Sequence, residues 1–168
     1  MKCYMFNKPG GCITARRDDR HSTVMDYFPE NMRNTFHPLG RLDKDTEGLL
    51  LITNDGQLGH NMLSPKKHVD KTYYAELLSP LASEDKTAIE KGVDIGDYIT
   101  QPCNIEILEK GVNITIHEGK FHQVKKMFEA VGNKVVYLKR ISFGPLNLPA
   151  DLPLGEYIEI SREDIDVE

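Results

Sequence analysis

Gly40-Arg41-Leu42-Asp43-Lys44-Asp45-Thr46-Glu47-Gly48-Leu49-Leu50-Leu51-Ile52 is the most informative stretch of this 168-residue chain. It sets a polar, acid-rich loop directly before an apolar run. The run Leu49–Ile52 reads as a buried strand, and Asn54-Asp55-Gly56 reads as the turn that closes it. A buried strand is a rigid platform, and the short loop feeding it can hold one side chain in fixed geometry. Asp43, Asp45 and Glu47 lie on that loop, and Asp55 follows the strand. The plain reading of these acids is a solvated loop. The sharper one is a carboxylate pair of the kind that cleaves glycosidic bonds. Spacing alone gives no distance between carboxyls, so both readings stand at this point.

Outward from the loop, the chain mixes strand and helix patterns. Lys2 to Asn7 alternates as a strand and stops at Pro9-Gly10-Gly11. Ser22 or Thr23 can cap a short helix over Val24 to Phe28, ended by Pro29, and Phe36 to Gly40 leads into the loop. Gln57 to Leu63 reads as a helix stopped by Ser64-Pro65, and Lys71 to Leu78 as a strand. Ser83 to Lys91 is a helix with Gly92 as its stop. Tyr98 to Leu108 and Val112 to His117 form a hairpin, with Cys103, Ile105 and Ile107 on one face of its first arm. Phe121 to Val131 carries a helical stripe at Val124, Met127, Phe128 and Val131. Val135 to Phe143 and Tyr157 to Ile160 are strands, and Ser161 with Asp164 can cap a last short helix. Hairpins outnumber β-α-β units, which predicts a single-domain α+β fold with a largely antiparallel, mixed sheet flanked by helices.

Composition fits an ordinary globular chain, with 39% hydrophobic and 28% charged residues. No apolar run approaches the ~20 residues of a membrane span, and the N-terminus does not read as a secretory signal. The expected location is cytoplasmic. Cys3, Cys12 and Cys103 form no C-x-x-C pair, so reduced thiols are expected rather than a disulfide framework or zinc site. The net charge of −5 looks unfavourable for a nucleic-acid partner. However, residues 156–168 hold six acids and one base, which accounts for all of it. The remainder is neutral and holds basic clusters at Arg16-Arg17 with Arg20, Lys66-Lys67-His68 with Lys71, Lys120 to Lys126, and Lys139-Arg140. Local patches, more than net charge, govern electrostatic binding.

The loop around Asp43 resembles the signature loop of the pseudouridine synthases, in the branch that modifies ribosomal RNA. Further segments resemble that family in the family's order. Tyr4-Met5-Phe6-Asn7-Lys8-Pro9-Gly10-Gly11 resembles its opening strand and turn, and Lys71-Thr72-Tyr73-Tyr74 the strand with its base-contacting tyrosine. Glu118 to Phe128 resembles its third motif, and Leu138 to Leu148 with Gly155-Glu156-Tyr157 its closing segment. Ser64-Pro65 with His68, His122-Gln123-Val124-Lys125 and Ala130-Val131-Gly132-Asn133 are similar to the enzymes of the small ribosomal subunit, with those of the large subunit as the near alternative. Many relatives begin with a basic S4-type domain. This chain is expected to be the catalytic domain alone, over residues 1–168.

The resemblance implies isomerisation of one uridine of ribosomal RNA, without cofactor or metal, by a monomer. Asp43 is then the nucleophile, Lys125 its charge partner and Tyr73 the aromatic against the flipped base. At 100° per residue, Lys125 lies about 60° outside the helix's apolar stripe, within reach of a flanking cleft. Lys126 lies about 100° further round, towards solvent or phosphate. Arg41 is expected to hold the target nucleotide out of its stack. Lys71, Lys120, His122, Gln123, Lys126 and Arg140 complete the expected RNA contacts. Asp45 and Glu47 become loop-shaping or helix-like surface residues, and Thr46 a local hydrogen-bonding one. Tyr74 points to the opposite face of its strand. Two rival classes stay open: a non-catalytic RNA-binding or ribosome-assembly module, and a carboxylate-pair hydrolase of N-glycosides.

Other site types fall away. His117-Glu118-Gly119-Lys120-Phe121-His122 has one residue too many for H-E-x-x-H. On a helix its histidines would stand roughly 140° apart. No dinucleotide fingerprint, P-loop or G-x-S-x-G elbow occurs.

Overall fold

The computed structural model describes residues 2–63, 69–120 and 122–165. The expected helix stop at Ser64-Pro65, the cluster Lys66-Lys67-His68, and Phe121 lie outside the described residues. Among the described residues, nine strands form one sheet: β1 (Cys3–Lys8), β2 (His37–Leu39), β3 (Glu47–Thr53), β4 (Lys71–Leu77), β5 (Asn104–Ile107), β6 (Val112–Ile116), β7 (Val135–Phe143), β8 (Leu146–Asn147) and β9 (Tyr157–Ile160). The helices are α1 (Glu30–Arg33), α2 (Gly56–Leu63), α3 (Ser83–Lys91), α4 (Gln123–Glu129) and α5 (Arg162–Ile165), with a 3₁₀ turn over Val24–Tyr27. The expected α+β class with a largely antiparallel, mixed sheet is borne out. No helix among the described residues is long and apolar enough to cross a membrane.

The sheet order is β5-β6-β4-β7-β3-β1-β9, with β2 also on β3 and β8 on β7. Every pairing is antiparallel except β3 with β7, which run parallel over two register pairs, Glu47 with Lys139 and Gly48 with Arg140. That short joint links two antiparallel halves. One edge of β3 is shared, since β7 takes its start and β2 its end.

The apolar run of β3 is continuous because both its faces are covered. Leu49 and Leu51 join Met5, Leu39, Leu58 and Phe143 on one side. Leu50 and Ile52 join Phe6, Met25, Phe28 and Leu42 on the other. A third cluster lies under β4, β6 and β7, where Val124, Met127 and Phe128 of α4 meet Ala75, Ile114 and Leu138. Tyr73 packs against both of these last two clusters.

Several boundaries depart from expectation. β2 contains Pro38, whose missing N–H argues against a strand. It pairs only at the far end of β3, where few ladder bonds are needed. Pro29 is the N-cap of α1 as well as the end of the preceding turn, and its carbonyl accepts from Met32 N–H at 2.9 Å. The first arm of the hairpin begins at Asn104, not Tyr98. Tyr98 and Gln101 are drawn away to hydrogen-bond Glu118. Ile107, at the end of the edge strand, is exposed where Ile105 is buried.

Candidate active site

The loop between β2 and β3 is held from several directions. Thr46 N–H donates to Asp43 O at 3.0 Å and closes a turn around Lys44 and Asp45. Thr14 Oγ1 accepts from Leu42 N–H at 3.1 Å and donates to Leu42 O at 2.9 Å. Lys8, the last residue of β1, is 0% exposed. Its ammonium donates to Pro9 O at 2.9 Å, Lys44 O at 3.1 Å and Thr46 O at 2.8 Å, so all three protons are used. Burial pushes its pKa below the ordinary lysine value. A buried charge spent wholly on backbone carbonyls is a clamp, and this one fixes the chain on both sides of Asp45.

Asp43 projects from this loop towards the start of α4. Lys125 Nζ lies 3.1 Å from Asp43 Oδ2 and 2.7 Å from Asp45 Oδ1. His122 Nε2 lies 3.3 Å from Asp43 Oδ1. Both oxygens of Asp43 therefore face a nitrogen. Burial works against the charge of Lys125, but its bonds to Asp45 and Asp43 outweigh that and raise its pKa. The same ammonium holds Asp45 below the usual carboxylate range.

His122 takes a left-handed conformation, φ 53°, the one non-glycine residue to do so among those described. Such strain persists where the surroundings enforce it. Gln123 supplies the restraint. Its Oε1 accepts from Lys120 N–H at 3.0 Å, and its Nε2 donates to Glu118 Oε2 at 2.9 Å. Glu118 also accepts from Tyr98 O–H at 2.6 Å and Gln101 N–H at 2.7 Å. This brace ties the turn before α4 to the loop before β5.

Asp43, Tyr73 and Lys125 line one cavity of about 520 Å³, within the range of small-molecule and base pockets. Of the expected RNA contacts, Arg41, Lys71, Lys120, His122, Gln123 and Arg140 also line it, and Lys126 does not. Gln123 is buried and its amide is spent inside the protein. Arg16 and Arg17 border a separate depression of about 330 Å³ with Asp18, Asp19 and Glu30. Tyr74 takes the opposite face and donates to Glu76 at 2.8 Å. The Thr46 hydroxyl has no partner, and Thr46 contributes its backbone instead. Sequence reasoning passed over Lys8, Tyr98 and Glu118. For Lys8 a signal existed, since a lysine closes an otherwise buried strand. For Tyr98 and Glu118 none did, because their pairing spans 20 residues.

The cavity lies at the joint of a mixed sheet and is lined by Arg41, Lys71, Lys120, Lys125 and Arg140, with one carboxylate, Asp43, held by a lysine. A family profile described as RNA pseudouridylate synthase matches residues 2–130. The chain belongs to this family, whose enzymes are isomerases. It is 52% identical to an uncharacterized RNA pseudouridine synthase of Bacillus subtilis, YtzG, over 96% of this chain and 70% of the relative. It is 42% identical to ribosomal small subunit pseudouridine synthase A of Escherichia coli, over 96% of this chain and 71% of the relative. A crystal structure of a pseudouridylate synthase superposes with a TM-score of 0.92 at 40% identity, covering 99% of this chain and 73% of that one.

Proposed function

We propose that this chain converts one uridine of small-subunit (16S) ribosomal RNA into pseudouridine, with Asp43 as nucleophile. The observation that carries this is the 3.1 Å contact of Asp43 with Lys125 in a cavity faced by Tyr73. The similarity to a small-subunit enzyme supports the choice of RNA. The target uridine leaves its stack and enters the cavity, at a cost of about a few kcal/mol that phosphate contacts offset. The bond from N1 to the sugar breaks, and Asp43 holds one half covalently, sugar or pyrimidine, while the other turns. A bond from C5 to the sugar then forms, C5 loses its proton to water and N1 gains one, so substrate and product are isomers. Lys125 holds one carboxylate oxygen of Asp43 in place between turnovers. Tyr73 stacks the base, Arg41 and Lys120 meet the RNA at the cavity, and Lys126 meets it outside. Gln123 acts by holding His122 in place. The working form is a cytoplasmic monomer, with residues 1–168 as one catalytic domain acting on a precursor particle.

Tritium release from 16S ribosomal RNA labelled at uridine C5 tests this. The wild-type chain is expected to release tritium, and Asp43→Ala to release none above background. Release that survives Asp43→Ala removes Asp43 from the role. Free uracil as product would make the chain a hydrolase instead.

A further inference from the structure

Lys71 opens β4 and Arg140 lies on its neighbour β7. The register pairs Lys71 with Phe143 and, past an irregularity that skips Ile141, Tyr73 with Arg140, so these four residues stand on one face, and all four line the cavity. Lys71 Nζ lies 5.8 Å, and Arg140 Cζ 4.9 Å, from the centre of the Phe143 ring. Two cations thus crowd one aromatic ring. Burial first, and the Arg140 charge second, hold the Lys71 ammonium below the ordinary lysine pKa.

Neither cation has a carboxylate in contact among the described residues, although the charges of Asp70 and Glu118 bear on Lys71. Among the described residues, no salt bridge includes Lys71 or Arg140. Glu118 offers Lys71 only its backbone oxygen, at 3.4 Å, because its carboxylate serves Tyr98, Gln101 and Gln123. Arg140 is 2% exposed. Its Nε donates to Leu49 O at 2.8 Å, and its Nη2 has no acceptor. Buried like charges with a spare donor destabilise a fold unless something anionic completes them.

Resting on the reading of the chain as a pseudouridine synthase, we infer that Lys71 and Arg140 form a phosphate subsite inside the cavity. It grips a backbone phosphate next to the flipped uridine, while Asp43 and Tyr73 engage sugar and base. Arg140, its Nε fixed on Leu49 O, supplies the spare Nη2 donor and Lys71 a point charge. The subsite orients the nucleotide and carries no base specificity.

Lys71→Met tests this, since it keeps the stem and removes only the ammonium. Tritium release from C5-labelled 16S ribosomal RNA is followed from about 50 to about 200 mM KCl. The control is Lys110→Gln, whose lysine is 80% exposed and lies outside the cavity. For Lys71→Met, kcat/KM is expected to fall about tenfold at low salt, mainly through KM. The slope of log kcat/KM against log salt should become shallower by about 0.7. The melting temperature should hold or rise, because repulsion with Arg140 is relieved. A merely structural lysine would lower the melting temperature and leave the slope alone. Wild-type release with an unchanged slope in Lys71→Met overturns the subsite and spares the reading beneath it. No release from the wild type overturns that reading, and the subsite with it.

Discussion

Lys8 is the residue whose burial does most to shape the loop of Asp43. Its ammonium has no acid in contact, yet every proton has a carbonyl. Removing one partner from a buried polar cluster leaves the others unsatisfied, which costs more than the bonds themselves contribute. Lys8→Met keeps the bulk but removes a donor from the carbonyls of Pro9, Lys44 and Thr46, of which Lys44 O keeps its bond from Gly11 N–H. A loss of about 3 kcal/mol of stability is expected, read from urea unfolding. Tritium release should fall further than the unfolded fraction explains, because Asp43 loses its fixed position. A variant as stable as the wild type would show the clamp to be dispensable.

Among the elements, the joint between β3 and β7 is the most constrained. Gly48 has φ +112°, and a Cβ there would lie 2.2 Å from the Arg140 carbonyl oxygen. Only glycine allows the two strands to approach this closely. The same approach sets Arg140 against Leu49 O and fixes the cavity wall. Gly48→Ala is expected to cost about 3 kcal/mol or more, and to fold poorly at 37 °C. Thermal melting and hydrogen exchange of the β7 amides would read this. A change under about 1 kcal/mol would mean that the strands can part without harm. The turn before α4 is a second constrained element, where Gln123 and Glu118 enforce the left-handed His122.

At the scale of the molecule, the site is an assembly across the joint. Asp43 comes from the loop entering β3, in one half of the sheet. Tyr73 comes from β4, in the other half, and Lys125 from α4, which packs beneath that half. The ion pair between Asp43 and Lys125 therefore spans 82 residues of sequence and both halves of the fold. Lys125→Met is expected to lower tritium release by about a hundredfold. Combined with Asp43→Asn, it should cost no more than Asp43→Asn alone, because both act through one contact. Losses that simply multiply would show the two residues to act independently.

The sequence by itself determined the local elements. The bounds of α3, β7 and β9 follow from periodicity and stops that neighbours in the chain supply, such as Gly92 after Lys91. Its resemblance to the pseudouridine synthases also pointed to Asp43, Tyr73 and Lys125, because the motifs that carry it are short and contiguous. Tertiary structure alone decided the rest. The parallel joint of β3 and β7 rests on two register pairs between segments far apart in the chain, which no local period encodes. The strand β2 exists despite Pro38 because β3 offers it an edge. Lys8 becomes a clamp, and Lys71 and Arg140 become neighbours, only once strands are laid side by side. Periodicity records which face a residue prefers, whereas partners across a cavity are fixed by the sheet that brings them there.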